Sequence, residues 1–162
     1  MNEIIESFVD QMKLRFGGAV QDVVEFRDDV IVTIAKNAIV DVCTFVRDNT
    51  FCPFPLCEDV FGIDQDRRRD RFEVNYHFIS IEKHVRIHLK VKADEDDAVV
   101  PSITSVFPSA NWPEREAFDM YGIVFSGHPD LRRMYMPEAF EHYPLRKDFP
   151  LMGIPGSLPL PK

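Results

Sequence analysis

The sequence predicts an α+β fold, in which a small, mostly antiparallel sheet carries helices on one face and is followed by a proline-rich extended C-terminal segment. Three observations predict this fold class. Apolar residues recur at helical spacing near the N-terminus, later stretches alternate apolar and polar residues, and ten of the twelve prolines lie at or after Pro101. We therefore divide the chain into an α/β domain over residues 1–100 and a C-terminal part, made of short helices and extended chain, over residues 101–162.

The N-terminal part begins with a helix over residues 3–16, because its apolar residues follow i, i+3, i+4 spacing. The pair Gly17-Gly18 ends this helix, since glycine rarely continues one. Residues 20–34 predict a hairpin, with two apolar stretches on either side of a short charged turn.

A second helix is predicted next, with Asn37 as its N-cap. Its apolar face consists of Ile39, Val42, Cys43 and Val46. Pro53 and Pro55 then break the chain before another extended segment over residues 60–63.

The best-specified local structure is a hairpin over residues 72–92, where apolar and polar residues alternate on both strands. A two-residue turn at Glu82-Lys83 would place Phe78 opposite Ile87. A shift of one residue would put every apolar side chain opposite a polar one, so the register is well determined. The polar face of the hairpin is expected to be a solvated surface, and it carries Glu73, Asn75, Lys90 and Lys92.

The C-terminal part begins with a short helix predicted over residues 102–107. A longer helix follows, with Asn111 as N-cap and Glu114 three residues later, as in a capping box. Pro113 suits the first helical turn, and Gly122 suits the residue just after the helix.

The segment beyond Gly122 is both apolar and rich in proline, which is an unusual combination. It is too apolar for a disordered linker, and its prolines prevent it from forming helices or central strands. Such a segment either wraps its own domain or lies along another protein. We expect the second arrangement, because proline preorders the chain and lowers the entropy that docking costs.

The net charge of the chain limits the classes of molecule that it is expected to bind. The net charge is -8, and residues 1–100 hold 13 Lys/Arg against 20 Asp/Glu. An acidic domain argues against nucleic acid or anionic lipid as the main partner, since both bind clustered cations. No stretch approaches the ~20 apolar residues that cross a bilayer, and the first six residues carry acids where a targeting leader carries basic residues. A cytoplasm-like compartment is expected.

The cysteines argue against two further classes. Cys43, Cys52 and Cys57 are too few for an iron–sulfur cluster, which usually takes four thiolates. An odd number also argues against a disulfide framework. We expect three reduced, mostly buried thiols.

Two blocks in the C-terminal part resemble a known family. Residues 114–132 follow the pattern E-R-E, two residues, an acid, two apolar residues, six residues, His, three residues, Arg, with Asp119, His128 and Arg132 in register. Residues 144–150 resemble a second block, P-L-R-K-D-[FY]-P. Together the blocks resemble the signature of the 30-kilodalton subunit family of respiratory complex I.

The resemblance implies a non-catalytic subunit in the peripheral arm of a proton-translocating NADH (or ferredoxin):quinone oxidoreductase. It implies a hetero-oligomer, with the large hydrogenase-like quinone-site subunit and neighbouring iron–sulfur subunits as partners, and with a C-terminal docking segment that runs over the large subunit. It implies no cofactor in this chain, while iron–sulfur clusters, quinone and FMN or NADH belong to other subunits. The expected location is the cytoplasmic face of the bacterial inner membrane, or the stromal side of the thylakoid in a plastid-type complex, with membrane contact only through the complex.

The same resemblance leaves an alternative open, the equivalent subunit of a membrane-bound hydrogenase or an F420H2 dehydrogenase. The residues assigned to the signature and the subunit interface are Glu114, Arg115, Glu116, Asp119, Met120, Tyr121, Gly122, Gly127, His128, Pro129, Leu131, Arg132, Arg133, Pro144, Leu145, Arg146, Lys147 and Asp148. Four of their cations are the strongest candidates for docking, because guanidinium groups pair well with carboxylates at interfaces. These are Arg132, Arg133, Arg146 and Lys147.

Two catalytic or metal-binding interpretations compete with docking. Glu114, Glu116, Asp119 and His128 could form an acid–base set, although no nucleophile accompanies them in a recognisable motif. The other is a small metal-binding enzyme using His77, His84 and His88, which the hairpin register places on one face. Capping and ion pairing are the expected roles of the first set, and a solvated strand surface that of the second.

Overall fold

The computed structural model describes residues 2–27 and 29–154. Within that part of the chain the helices are α1 (Glu3–Phe16), α2 (Ile39–Asp48) and α3 (Asn111–Tyr121). The strands are β1 (Val20–Phe26), β2 (Asp29–Ile34), β3 (Leu56–Asp64), β4 (Phe72–Ser80), β5 (Val85–Ala93), β6 (Val99–Pro101) and β7 (Val124–Ser126). No helix in the described residues is long and apolar enough to cross a membrane.

The main sheet has five strands in the order β1-β2-β5-β4-β3. Every neighbouring pair is antiparallel except β2 with β5, which run parallel. The predicted α+β class with a mostly antiparallel sheet is therefore confirmed. The parallel pair arises because the chain leaves β2, forms α2 and the β3–β4 hairpin, and returns with β5 to the free edge of β2.

One hydrophobic core joins the helices to the sheet and continues past residue 100. Phe8 of α1 packs edge-on against Phe54, with ring centroids 4.9 Å apart. Phe78 of β4 packs against Phe107, with centroids 5.0 Å apart. The same cluster of buried residues extends to Phe125 in β7. The predicted boundary at residue 100 therefore marks a change in composition, while the apolar packing runs through it.

The central hairpin has the predicted register. Phe78 faces Ile87, and Glu73 faces Lys92. The turn is different: the last paired residues are Ser80 and Val85, so residues 81–84 form a four-residue loop. The alternation of apolar residues determines the pairing of two strands, but it does not determine where their hydrogen bonding stops.

The polar face of this hairpin is not the solvated surface that the sequence predicted. Glu73 is only 5% exposed and Asn75 only 7% exposed. Both lie on β4, which has a strand on either side, and the Lys90 ammonium covers Glu73 at 3.1 Å. The long side chain of Lys90 on the neighbouring strand thus helps to bury Glu73 on a central strand.

Both predicted helix caps are wrong, although both helices form. Asn37 lies in a 3-10 turn, Lys36–Ala38, and α2 starts directly after that turn without a side-chain cap. Asn111 is the first residue of α3, preceded by the 3-10 turn Pro108–Ala110. A 3-10 turn can use the backbone donors that a cap would otherwise satisfy. The short helix predicted over residues 102–107 is a single turn.

The segment after β7 contains no helix or strand up to residue 154, where the described part ends. Residues 127–149, here named the strap, fold back over their own domain, with Phe140 buried and Leu131 packed against the core. The strap thus covers part of its own apolar surface. Tyr135, Leu145, Leu151 and Met152 stay exposed, so contact of this segment with a neighbouring protein stays a prediction. Residues 155–162 lie outside the described residues.

Candidate functional site: a clamp on the C-terminal segment

A set of hydrogen-bonding side chains, here named the clamp, ties α3, the sheet and the strap together: Asp64, Arg71, Ser102, Glu114, Arg115, Asp119, His128, Arg133 and Arg146. The Asp119 carboxylate lies at the centre of the first signature block. Asp119 points from α3 toward the strap, and its Oδ2 accepts the backbone N–H groups of Met134, Tyr135 and Met136 at 3.0, 2.7 and 3.0 Å. Three successive N–H groups aimed at one oxygen form an anion-binding nest. The protein's own carboxylate fills this nest and so fastens the strap to α3.

Burial and hydrogen bonding act in opposite directions on Asp119. Burial alone would raise the pKa of this carboxyl, but the N–H groups of Met136 and Tyr135, the Arg133 guanidinium and the Met134 N–H together lower it. Asp119 therefore stays ionised in the folded protein. An ionised acceptor makes stronger hydrogen bonds than a neutral one.

Two arginines of the signature hold the same stretch of the strap. Arg133 Nη1 donates to Asp119 Oδ1 at 2.7 Å, and its Nη2 donates to the His142 carbonyl oxygen at 3.3 Å. Arg115 Nε donates to the Arg132 carbonyl oxygen at 3.1 Å. Its guanidinium also lies over the Trp112 ring, 4.6 Å from the centroid. Both guanidinium groups are thus occupied within the chain.

Glu114 fastens a different part of the chain. Its carboxylate accepts the Ser102 hydroxyl at 2.6 Å and the Ile103 N–H at 2.8 Å, which ties α3 to the segment that follows β6. The side chain is fully buried, and burial raises the pKa of this carboxyl to about 7, against the opposing effect of the two hydrogen bonds. Glu114 is therefore an internal tie, where the sequence predicted a capping box.

His128 anchors the backbone at the start of the strap. Its Nδ1 accepts the Asp130 N–H at 3.0 Å, and its Nε2 lies 3.1 Å from the Asn111 carbonyl oxygen. An Nδ1 acceptor implies the Nε2–H tautomer, so Nε2 donates to Asn111. The preceding Gly127 has a φ of 81°, and Pro129 follows on the surface.

The second block is fastened by a buried arginine that directly precedes β4. Arg71 makes a two-pronged pair with Asp64, at 3.1 and 3.0 Å, and also pairs with Asp148 of the strap at 2.9 Å. Asp64 Oδ2 accepts the Lys147 N–H at 2.8 Å. Burial alone would raise the pKa of the Asp64 carboxyl, but bonds from Arg71, Lys147 and Asp66 lower it.

Arg146 of the strap packs against the C-terminal end of α3. Arg146 Nε donates to the Tyr121 carbonyl oxygen at 2.6 Å, and its guanidinium lies over Tyr143 at 4.5 Å from the ring centroid. Gly122 ends α3 with a φ of 76°, and a Cβ there would lie 2.6 Å from Arg146 and 2.7 Å from Tyr143. Glycine is required at this position for both its conformation and its size.

The remaining residues of the two blocks divide into buried and exposed groups. The Met120 carbonyl oxygen accepts the Leu145 N–H at 3.1 Å, while the Leu145 side chain is exposed and Pro144 is half-buried.

Of the four cations predicted for docking, Arg133 and Arg146 point into the domain. Arg132 is exposed and pairs with Asp130, and the Lys147 side chain is exposed. Glu116 is also exposed.

The competing chemical interpretations have little geometric support. Glu114 and His128 approach to 4.0 Å, but both side chains are fully buried, so a substrate does not reach them. His77 and His88 pair across β4 and β5, with ring centroids 4.1 Å apart, whereas His84 lies in the exposed loop beyond the strand ends. Across residues 2–27 and 29–154 no group of three or more His, Cys, Asp or Glu side chains is placed to hold a metal ion. The three cysteines are buried free thiols, as predicted.

Sequence patterns alone did not identify three residues of the clamp. Asp64, Arg71 and Ser102 lie outside the two blocks along the chain, and each bonds a block residue. A polar residue such as Asp64 at the end of an apolar strand was a possible signal. Its partner, however, depends on the tertiary fold.

The fold and the clamp define an α+β domain that fastens its own C-terminal strap. The sequence profile of the family described as "Respiratory-chain NADH dehydrogenase, 30 Kd subunit" matches residues 32–155. The chain belongs to this family, as the resemblance predicted.

Several relatives support the same assignment. The chain is 46% identical over 153 residues to the C subunit of the NADH-quinone oxidoreductase of Xanthobacter autotrophicus, covering 94% of this chain and 73% of that protein. It is 47% identical over 153 residues to the corresponding protein of Caulobacter vibrioides, covering 94% and 77%. Among solved structures, the trypsin-resistant fragment of Nqo5 aligns with a TM-score of 0.66 and 26% identity, over 79% of this chain and 99% of the fragment.

An archaeal respiratory membrane complex contains the same fold. A chain of the membrane-bound sulfane sulfur reductase aligns with a TM-score of 0.73 and 24% identity, over 93% of this chain and 88% of that one. At this identity the likeness concerns the fold alone.

Proposed function

We propose that this chain is a non-catalytic peripheral-arm subunit of a proton-translocating NADH (or ferredoxin):quinone oxidoreductase, and that it scaffolds the quinone-reducing module. The observation that carries the proposal is the 41–50% identity to proteins named as the C subunit of NADH-quinone oxidoreductases. The alternative of a hydrogenase or F420H2 dehydrogenase subunit has less support, because the relatives at this level of identity carry the NADH-quinone name.

In this proposal the chain contributes protein surface and no redox group. Iron–sulfur clusters, quinone and FMN or NADH are held by other subunits. The partners are the large hydrogenase-like subunit of the quinone site and its iron–sulfur neighbours. The chain reaches the cytoplasmic face of the membrane through the complex.

The clamp suggests how such a scaffold could work. Fastening the strap before assembly fixes the positions of Arg132, Lys147 and Leu145, which remain exposed at its surface. A preordered surface loses less entropy on binding than a flexible one. Docking therefore uses the outer side of the strap, while its inner side is already bound.

The proposal is tested by complementation. A Caulobacter vibrioides strain that lacks the gene for its own related protein, which is 47% identical to this chain, would be given a tagged copy of this chain. We expect restored NADH:quinone reductase activity in membranes and co-purification of the large subunit with the tag. A matched strain carrying the Asp119→Ala variant should lose both, because its strap is released. A folded wild-type chain that is expressed, restores no activity and retains no other protein of the complex would contradict the proposal.

A further inference from the structure

A groove lies between strand β3 and helix α3 and is not filled by the strap. Gly62 forms part of its floor, and the Tyr121 ring lies 2.8 Å from the position where a Cβ of Gly62 would be. Phe61 and Leu145 form part of the walls, and the cavity measures about 230 Å³. Substrate and cofactor sites usually measure about 300–1,000 Å³, so this groove suits a single side chain better than a small molecule.

Two carboxylates lie on opposite sides of this groove. Asp59 belongs to β3, beside a register irregularity that lies between Cys57 and Asp59, and Glu116 belongs to α3. Both residues are exposed. Within the described residues neither carboxylate has a Lys, Arg or His nitrogen within 4.0 Å, whereas nearby Glu58 pairs with Arg86 at 3.7 Å. Asp59 Oδ1 accepts the Val60 N–H at 2.8 Å. Two anions that line one groove and have no paired cation favour a partner group of positive charge.

Glu116 is also the acid of the first signature block that the clamp does not use. Glu114 and Asp119 are buried and hydrogen-bonded, as described above. Among residues 2–27 and 29–154, Glu116 accepts a single side-chain bond, a long one from the Tyr135 hydroxyl at 3.4 Å. Its place in the block is therefore not explained by the internal structure of the strap.

Exposed apolar side chains surround Glu116. Trp112 is 62% exposed and lies one helical turn before it. Tyr135, 59% exposed, reaches it through its hydroxyl, and Leu145, 49% exposed, lines the same groove. Aromatic side chains around a charged centre are typical of the residues that dominate binding at protein interfaces.

We propose that this groove receives an arginine side chain from a neighbouring subunit. Its guanidinium would pair with Glu116 and Asp59, and its aliphatic stem would lie along Leu145 and the Tyr121 ring. Arginine fits better than lysine, because a planar guanidinium both pairs with carboxylates and stacks on aromatic rings. This inference rests on the proposed function, since it assigns a contact within the same complex.

Charge reversal on each wall of the groove tests the inference in the assembled complex. Tagged Glu116→Lys and Asp59→Lys variants would be expressed in the complementation strain, beside Asp10→Lys as a control of equal charge change on the exposed side of α1. We expect each groove variant to retain the partner subunits at least about tenfold less well than wild type at low salt, and the control to match wild type. Unchanged denaturation midpoints of the purified chains would establish that all three variants fold.

The outcomes separate the inference from the proposed function. If wild type retains no subunits, the proposed function is wrong. If wild type retains them and the groove variants retain them equally well, or if the control loses them to the same extent, the groove assignment is wrong.

A second measurement identifies the occupant. A benzophenone maleimide attached to Leu145→Cys would be cross-linked in the complex, and the captured peptide sequenced. We expect a partner peptide with an arginine at the cross-linked site. A peptide with lysine and no arginine would overturn the preference for arginine. An acidic or purely apolar peptide, or a second copy of this chain, would overturn the assignment.

Discussion

The Asp119 carboxylate accepts three successive backbone N–H groups of the strap, which would bond to water in a free peptide. It also neutralises Arg133, whose guanidinium is mostly buried. Removing one member of a buried pair leaves the other charge without compensation. A single side chain therefore holds the path of the strap beside α3.

Replacing Asp119 by alanine should lower the free energy of unfolding by about 3–5 kcal/mol, because the Arg133 charge and three N–H groups lose their acceptor. Urea denaturation measures this change. Asp130→Asn is the matched control, since Asp130 pairs with Arg132 at the surface, where ion pairs add little. Equal midpoints for the two variants would contradict the assigned role of Asp119.

Glu114 makes stability depend on pH. Its pKa is about 7 in the folded chain, raised by burial from an ordinary value of 4.5. The folded state therefore binds more protons than the unfolded state between these values, and stability falls as pH rises from about 4.5 to 7. Above the folded-state pKa the contribution of Glu114 stays constant.

The Glu114→Gln variant should remove this contribution, because glutamine keeps an acceptor for Ile103 and carries no charge. We expect the wild type to lose unfolding free energy relative to the variant as the pH rises from about 5 to 7, after which the difference between them should level off. Taking the difference cancels the titration of groups such as His77, whose pKa burial and the neighbouring His88 lower. A difference independent of pH would show that Glu114 titrates normally.

Among the secondary-structure elements, the C-terminal end of α3 belongs to the first signature block and contacts the second. Gly122 and Gly127 both have positive φ, at 76° and 81°. A Cβ at Gly122 would clash with Arg146 and Tyr143, whereas a Cβ at Gly127 meets no atom within 4 Å. The two positions therefore separate backbone strain from steric contact with the strap.

Gly127→Ala should cost about 1–2 kcal/mol, which is the penalty for the left-handed conformation. Gly122→Ala should cost about 1–3 kcal/mol more, because the strap must also move away. Urea denaturation gives both values, and proteolysis of the strap should accelerate only in Gly122→Ala. Equal costs and equal cleavage rates would mean that the strap does not pack against this turn.

The sequence predicted which helices and strands form better than it predicted where they begin and end. Alternating apolar residues determined the register of β4 and β5, because a slip would expose the core face. The caps failed at Asn37 and Asn111, where 3-10 turns precede the helices. Burial of Glu73 also escaped prediction, since the position of β4 inside the sheet is a property of the fold.

For the molecule as a whole, the C-terminal segment was the part of the sequence that determined its own arrangement least. Its prolines and apolar residues suggested a segment that lies along a partner; the strap packs on its own domain, and its exposed apolar side chains leave the partner contact a prediction. The two arrangements look alike in sequence because both need apolar side chains and a stiff backbone. Only the positions of Asp64, Arg71 and Asp119 in three dimensions distinguish them.

A prefastened strap has a consequence for assembly. The inner side of the strap carries signature residues such as Arg133 and Arg146, and we propose that its outer side and the groove beside Glu116 contact neighbouring subunits. Variants of Asp119 or Arg71 should therefore damage the isolated chain and the complex together. Variants of Glu116 should affect the complex and leave the isolated chain folded.

Amide hydrogen exchange on the isolated chain tests the fastening of the strap most directly. The N–H groups of Met134, Tyr135, Met136 and Lys147 donate to buried carboxylates. We predict that all four exchange much more slowly than in an unstructured peptide, and that Asp119→Ala removes the protection of the first three. Exchange of these amides at the rate of a free peptide in the wild-type chain, with protection only after assembly, would contradict the account.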